Sequence, residues 1–203
     1  MELILATRNQ HKITEIKKIL ADPQMEMLGL KDFPDIPEIE ETGKTLEENA
    51  ILKAKKVHTL TGIPALADDS GLEVDALNGA PGVMSARFAG PGCPPEADKD
   101  NNLKLLGLLK EIPEEKRRAT FRCVVALALS PDDIRVVEGK VRGFITQKEV
   151  GKNGFGYDPV FFYPELGKTF AQLEPEEKNR VSHRGIAFRK AKELIRKIIS
   201  NTE

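Results

Sequence analysis

The sequence is poor in cysteine. Its 203 residues include only two, Cys93 and Cys123, and their spacing matches no metal-binding or redox motif. Catalysis by a thiol is therefore not expected, and so few cysteines indicate a protein of the reducing cytoplasm.

Long hydrophobic runs are also missing. No apolar stretch approaches the ~20 residues that a membrane-spanning helix needs. The apolar run at residues 3–6 is far too short for the hydrophobic region of a signal peptide. We therefore expect no membrane partner and a cytoplasmic location.

Neither sign of charge dominates the chain. Its 31 Lys and Arg residues and 32 Asp and Glu residues leave a net charge of −1, so no overall field attracts nucleic acid or membrane. The same balance, together with only two tyrosines, argues against an RNA-binding protein. That alternative predicts salt-dependent RNA binding, which is a simple check.

What the sequence does contain is enough for one domain over residues 1–203, of which 40% are hydrophobic. The order of predicted strands and helices contains both hairpins and crossover connections, which favours an α/β fold with a mixed sheet flanked by helices. Strands are predicted at 2–6, 25–30, 121–129, 134–144 and 160–162, with a strand, turn and strand over 65–74. Helices are predicted to follow residue 9, ending near residue 21, and over 45–61, over 96–110 and from about residue 182. Residues 31–44 and 78–95 are expected to be irregular.

Two adjacent carboxylates, Asp68 and Asp69, follow a short apolar run and precede Ser70 and Gly71. This pattern predicts a strand that delivers acids to its carboxyl edge, with Gly71 allowing a sharp turn. Adjacent acids suit Mg²⁺, or Mn²⁺ in its place. An ordinary solvated turn is the alternative, because these residue types also favour turns.

Four other segments carry candidate ligand-binding residues. Residues 6–12 link a strand to a helix N-terminus that could bind phosphate, although the glycines of a Walker loop are missing. Glu38, Glu40 and Glu41 precede a helix on which Lys53 could face the same cavity. Residues 151–159 bracket Phe155 with glycines, which suits a nucleobase but also a bulged hairpin loop. Residues 178–185 gather basic donors at a helix start, where they oppose the helix dipole and require an anion.

Together these segments supply acids for a metal, donors for phosphate, an aromatic ring and donors for a base edge. A nucleoside triphosphate is the ligand that uses all of them. Each segment alone also has an ordinary structural explanation: a helix cap, a solvated acidic run, a hairpin loop or a basic surface.

The sequence closely resembles the inosine triphosphate pyrophosphatase family over nearly its whole length. Six motifs in order carry the resemblance: Ala6-Thr7 with Asn9 and Lys12; Glu40-Glu41-Thr42-Gly43 with Asn49-Ala50 and Lys53-Ala54; Ala67-Asp68-Asp69-Ser70-Gly71-Leu72; Gly79-Ala80-Pro81-Gly82 with Ser85-Ala86-Arg87; Gly154-Phe155-Gly156-Tyr157-Asp158-Pro159; and Ser182-His183-Arg184-Gly185. Arg8 stands where many relatives have glycine.

The resemblance implies an elongated mixed sheet in two lobes with a central cleft, a homodimer and dependence on Mg²⁺. It also implies hydrolysis of ITP, dITP or XTP to the monophosphate and pyrophosphate. By the same resemblance Asp69 is the general base and a metal ligand, with Glu40 as second ligand and Asp68 and Glu41 as supporting ligands. The implied substrate-binding residues are Thr7, Arg8, Asn9, Gln10, His11, Lys12, Lys53, Ser70, Phe155, Gly156, Tyr157, Asp158, Lys178, His183 and Arg184.

Elementary chemistry is consistent with these roles. A group that carries only donors, such as Arg184, can donate a hydrogen bond to O6 of hypoxanthine or xanthine, but it meets another donor at the amine of adenine. A pyrophosphatase for modified pyrimidine or methylated nucleotides is a rival within the enzymes. A nucleotide sensor without turnover is a rival outside them, and the Asp68–Asp69 pair argues against it.

Overall fold

The computed structural model describes residues 1–90 and 97–201, so Cys93 and the predicted helix start at residue 96 lie outside the described residues. A seven-stranded sheet has the order β2-β1-β3-β4-β5-β6-β7. The strands are β1 Glu2–Leu5, β2 Glu26–Gly29, β3 Ala65–Val74, β4 Arg118–Ala128, β5 Ile134–Ile145, β6 Phe161–Tyr163 and β7 Lys168–Thr169. The helices are α1 Gln10–Leu20, α2 Leu46–Thr61, α3 Asp98–Leu108, α4 Pro175–Val181 and α5 His183–Ser200.

The sheet is mixed, as predicted. Strand β1 pairs in parallel with both β2 and β3, whereas β6 is antiparallel to both β5 and β7. The α/β class is therefore confirmed. Among the described residues, none of the helices combines the length and the apolar character needed to cross a bilayer.

The chain divides into two compact units. Unit 1 comprises residues 1–69, 123–139 and 183–203, and unit 2 comprises residues 70–122 and 140–182. In unit 1, α1 and α5 pack apolar side chains on the sheet, with Ile16, Leu20, Phe188 and Ile195 buried. In unit 2, Phe121, Phe161 and Phe170 form an aromatic cluster.

Local signals explain why several helices begin where they do. The side chain of Asn9 accepts the backbone N–H of Lys12 and caps α1. The hydroxyl of Thr45 accepts the N–H of Glu48 and caps α2, but the carboxylate of Glu48 binds the N–H of Lys44 instead of returning to Thr45. The hydrogen bond accepted by Thr45 is thus one half of a capping box.

The predicted turn within residues 65–74 is wrong. Strand β3 runs unbroken from Ala65 to Val74, with Asp68 and Asp69 in its middle. In the sheet the strand lies between β1 and β4, and both of its faces are largely buried. Residue types that favour turns are accommodated in this strand because basic side chains pair with the two acids.

Other predictions need smaller corrections. Part of the segment predicted to be irregular, Gly82–Arg87, forms a 3₁₀ helix. Helix α4 and strand β7 were not predicted from the sequence. Leu105 is buried on α3, and Leu109 is buried directly after the helix ends.

Candidate active site

The acid pair lies where β1 ends and β3 continues. Leu5 is in register with Leu66, and the N–H of Ala6 donates to the carbonyl of Leu66 over 2.8 Å. Asp68 and Asp69 follow on β3, beyond the last residue of β1. The acids are thus at the carboxyl end of the parallel pair, as predicted, although the strand that carries them does not stop there.

Asp68 is an internal ion-paired acid. Its side chain is 0% exposed, and its Oδ2 lies 2.9 Å from Nζ of Lys12 and 3.8 Å from Nε of Arg184. Sγ of Cys123 lies 4.0 Å from the same oxygen. Burial raises the pKa of this carboxyl, but Lys12 and Arg184 outweigh burial and hold the pKa well below its usual range. Asp68 is therefore fixed as an anion.

Asp69 has a different environment. Its Oδ1 lies 3.3 Å from Nζ of Lys53, and its Oδ2 accepts a hydrogen bond of 3.2 Å from Nδ2 of Asn49. Burial raises the pKa of Asp69; Lys53 opposes that rise, and Glu41 adds to it. A carboxylate with a raised pKa is a stronger base than an ordinary aspartate, so Asp69 fits the predicted role of general base.

Lys53 joins Asp69 to the loop that precedes α2. Its ammonium lies 2.5 Å from Oε1 of Glu41, whereas Glu40 is exposed and Glu41 is half-buried. Asn49 accepts the N–H of Gly43 through Oδ1, which anchors the loop beside Asp69. Of the two predicted glutamates, Glu41 is the one that the structure connects to Asp69.

The start of α1 contacts Asp68 through the side chain of Lys12. Thr7 accepts the N–H of Asn9 at 3.2 Å, while Gln10 and His11 are exposed in the first turn. Arg8 donates from Nη2 to the carbonyl of Ile36 over 2.7 Å, which ties this segment to the acidic loop. A helix N-terminus with a nearby lysine can bind phosphate oxygens, so the geometry is consistent with that prediction.

The basic start of α5 obtains its anions from the protein itself. Nη1 of Arg184 lies 2.7 Å from Oε2 of Glu15 on α1, and Asp68 lies on the other side of the guanidinium. His183 is buried at the first position of α5. These contacts place Arg184 beside the acid pair, whereas the sequence predicted contact with a base.

The acids around Lys53 are also candidate metal ligands. Within residues 1–90 and 97–201, no three His, Cys, Asp or Glu side chains come together as a ready-made metal centre. The carboxylates of Asp69 and Glu41 nevertheless both contact the ammonium of Lys53, so they lie close to each other. Mg²⁺ is commonly held by one or two carboxylates with substrate phosphates, so these residues fit the ion.

A second group of predicted residues lies in unit 2. The buried Asp158 accepts the N–H of Phe155 at 2.8 Å and pairs with the ammonium of Lys178. The same ammonium lies 4.7 Å from the centre of the Phe155 ring. Phe155 and Lys178 are therefore held together, as a stacking site requires, with Asp158 linking them.

The other predicted residues of unit 2 have structural contacts. Tyr157 is buried and donates its hydroxyl to the carbonyl of Ser85 over 2.9 Å. Ser70 is half-buried on β3. Both backbone polar groups of Gly156 bind side chains of α3. Its N–H donates to Asp98 at 2.6 Å, and its carbonyl accepts from Asn102 at 3.1 Å.

Sequence reasoning gave no role to several residues of these groups. Asn49 precedes Lys53 by one helical turn, and this i, i+4 spacing was a usable signal that both face Asp69. Glu15 and Cys123 approach the acids from distant parts of the chain, so no local pattern could have revealed them. The same holds for Asp98 and Asn102.

Comparison with known proteins gives one consistent result. The sequence profile of the Ham1 family matches residues 3–194. The dITP/XTP pyrophosphatase of Desulforamulus reducens is 47% identical over 203 residues, which is 100% of both chains. That of Geobacter sulfurreducens is 50% identical over 186 residues, covering 92% of each chain.

Solved structures agree. A HAM1 protein from Coxiella burnetii has a TM-score of 0.88 and 41% identity, covering 97% of this chain and 99% of its own. The nucleoside-triphosphatase / dITP/XTP pyrophosphatase from Mycobacterium abscessus has a TM-score of 0.75 and 43% identity, and the match covers 94% of this chain and 98% of that protein's chain. The chain belongs to the Ham1 family.

Proposed function

We propose that the protein is a Mg²⁺-dependent pyrophosphatase of noncanonical purine nucleoside triphosphates. It hydrolyses ITP, dITP and XTP to the monophosphate and pyrophosphate and so removes them from the nucleotide pool. The observation that carries the proposal is Asp69, a buried acid with a raised pKa beside Lys53, next to an Asp68 that is already ion-paired. The names of the relatives, dITP/XTP pyrophosphatase, support the substrate class.

The reaction needs a base and compensating positive charge. Water attacks the α-phosphorus, a new P–O bond forms, the bond to the bridging oxygen breaks, and pyrophosphate leaves. Asp69 accepts the proton of the attacking water. Lys12 and Lys53 carry positive charge toward the phosphate oxygens, where charge develops in the transition state.

Asp69 and Glu41 are the residues we assign to Mg²⁺, with Glu40 and Asp68 as further candidates. When bound, the ion would neutralise charge on the phosphate oxygens and would lower the pKa of a coordinated water. Asp68 is the weaker candidate because Lys12 and Arg184 already neutralise it. Mn²⁺ has similar ligand preferences and is expected to substitute.

Recognition of the base is assigned to Phe155 and Lys178. The ring offers a stacking face, and the ammonium offers only donors, which suits a carbonyl at position 6. Asp158 holds the ammonium beside the ring. Arg184 stays a further candidate from the sequence, although its contacts in the structure are with acids.

A nucleotide panel tests the proposal. Purified protein with Mg²⁺ is given ITP, dITP, XTP, the common triphosphates and modified pyrimidine or methylated triphosphates, and pyrophosphate and orthophosphate are measured separately. We expect pyrophosphate from the noncanonical purines. A preference for modified pyrimidines would favour the rival enzyme class, and tight binding without turnover would favour the sensor.

The homodimer stays a prediction of the resemblance, and the cytoplasmic location stays a prediction from the few cysteines and the short apolar runs. Sedimentation equilibrium tests the first, with a dimer mass expected at micromolar concentration. Fractionation of the source cells tests the second.

A further inference from the structure

We propose that Asp98 and Asn102 of α3 are positioning residues that fix the loop Phe155–Asp158 and thereby set the affinity for the nucleotide base. The inference rests on the proposed role of that loop in base binding. Neither residue is assigned to the substrate itself, since both act through the backbone of Gly156.

The geometry is a clamp on one residue of the loop. Oδ2 of Asp98 accepts the N–H of Gly156 at 2.6 Å, and Nδ2 of Asn102 donates to its carbonyl at 3.1 Å. Asp98 and Asn102 are four positions apart on α3, so they lie on one face of the helix, one turn apart. Both polar groups of Gly156 are therefore held by a single rigid element.

Gly156 is a position where the backbone depends on such support. Its φ is +61°, in the left-handed region, and a Cβ added there would meet no atom within 4 Å. The glycine thus serves the backbone conformation rather than a close contact. With many conformations open to glycine, the two hydrogen bonds from α3 select one.

The clamp lies between two side-chain contacts of the same loop. The N–H of Phe155 donates to Asp158, and the hydroxyl of Tyr157 donates to the carbonyl of Ser85. Because Gly156 directly follows Phe155, we expect that loosening Gly156 weakens the position of the Phe155 ring beside Lys178. Asn102 is 2% exposed, so its hydrogen bond is protected from water and its loss is not compensated by solvent.

The chain offers a close control for Asn102. Asn101 is the adjacent residue of the same helix and is 3% exposed, but it accepts the N–H of Ala89 and donates to the carbonyl of Ala86. Asn101→Ala and Asn102→Ala therefore remove the same chemical group at equal burial, and only the second loosens the loop. Glu149→Ala removes the other partner of Asn102, which bonds it at 2.9 Å, and leaves the clamp intact.

The experiment combines kinetics with hydrogen exchange. For Asn102→Ala and Asp98→Ala we expect the KM for dITP to rise about tenfold with kcat within about twofold, corresponding to one lost hydrogen bond. Exchange of the amides of residues 155–158 should quicken in both variants. Asp98→Asn keeps an acceptor for Gly156 and should restore KM and exchange; Asn101→Ala and Glu149→Ala should resemble the wild type.

Two results would overturn the inference. One is unchanged exchange at residues 155–158 in both alanine variants; the other is a KM in Asn102→Ala no higher than in Asn101→Ala. Failure of the proposed function is a separate outcome, seen as absence of pyrophosphate release by the wild type. In that case the affinity for dITP, measured by calorimetry on the same variants, decides the inference: an equal affinity in all of them would contradict it.

Discussion

At the scale of single residues, Asp68 and Asp69 show how neighbours of one type acquire different properties. They alternate along β3, so their side chains point to opposite faces of the strand. One face presents Lys12 and Arg184, the other Lys53 and Glu41. The pKa falls in the first case and rises in the second, and this difference is the physical basis for choosing Asp69 as the base.

The first prediction concerns activity. Asp69→Asn keeps the shape of the side chain but removes its charge and its ability to accept a proton. We expect kcat to fall by at least ~10²–10⁴-fold, the range typical for loss of a general base, while the circular dichroism spectrum stays unchanged. The measurement is pyrophosphate release from dITP. Activity within a few-fold of wild type would show that Asp69 is not the base.

The second prediction concerns stability and pH. The pKa of Asp68 is lowered by its cations, so its charge stabilises the fold above about pH 4 and that stabilisation is lost as the pH falls further. The pKa of Asp69 is raised, chiefly by burial, so the fold gains stability as the pH falls from its folded pKa toward about 4. At pH 7 Asp68→Asn should unfold at a lower temperature than wild type, and Asp69→Asn at a higher one.

Both differences should shrink as the pH is lowered toward 3. Thermal unfolding of the wild type and the two variants from pH 7 to pH 3 measures them. Shifts of the same sign at pH 7 would show that the two acids do not differ in the way described.

The third prediction concerns Arg184. The sequence predicts that it selects the base, in which case Arg184→Ala lowers the ratio of kcat/KM for ITP to that for ATP. Its contacts with Glu15 and Asp68 lead us to expect that kcat/KM falls by a similar factor for both nucleotides. Stability should fall as well, because Glu15 loses its guanidinium partner and Asp68 keeps only Lys12 of its two cations. A fall confined to ITP would return base selection to Arg184.

At the scale of elements, the contact between β5 and the start of α5 depends on a glycine. A Cβ at Gly139 would lie 2.2 Å from the carbonyl oxygen of His183 and 2.6 Å from the nitrogen of Ala187. Both are backbone atoms, so the helix itself would have to move. This close contact determines where His183 and Arg184 lie relative to the sheet.

The fourth prediction follows. Gly139→Ala should lower the free energy of unfolding by at least ~1–3 kcal/mol, the usual cost of overpacking, and should lower kcat/KM for dITP through displacement of Arg184. Urea denaturation measures the first effect. Gly107→Ala is the matched control, because a Cβ there meets nothing within 4 Å; it should stabilise α3 by about 0.4–1 kcal/mol. Equal effects of the two substitutions would contradict the account.

The elements also show how far the sequence could be read. The caps at Asn9 and Thr45 are local, and the sequence located α1 and α2 correctly. The continuity of β3 was missed because it depends on neighbouring strands and on Lys12 and Lys53, which balance the acids from elsewhere. Helix α4 was missed because it is only seven residues long and has no clear apolar repeat.

At the scale of the whole molecule, the candidate residues divide between the two units. The acids, Lys12, Lys53 and Arg184 belong to unit 1, and Phe155, Asp158 and Lys178 belong to unit 2. The order of the six motifs identified the family from sequence alone, since no accidental combination of caps and turns would reproduce it. Which carboxylate faces which cation was not accessible in this way, because those contacts join residues far apart in the chain.

The central claim is that water attacks the α-phosphorus, and the position of the new oxygen tests it most directly. Wild-type protein is incubated with dITP and Mg²⁺ in water labelled with oxygen-18, and the products are analysed by mass spectrometry. The account predicts the label in the monophosphate, unlabelled pyrophosphate and equal amounts of the two. Label in the pyrophosphate, or orthophosphate and the diphosphate as primary products, would contradict it.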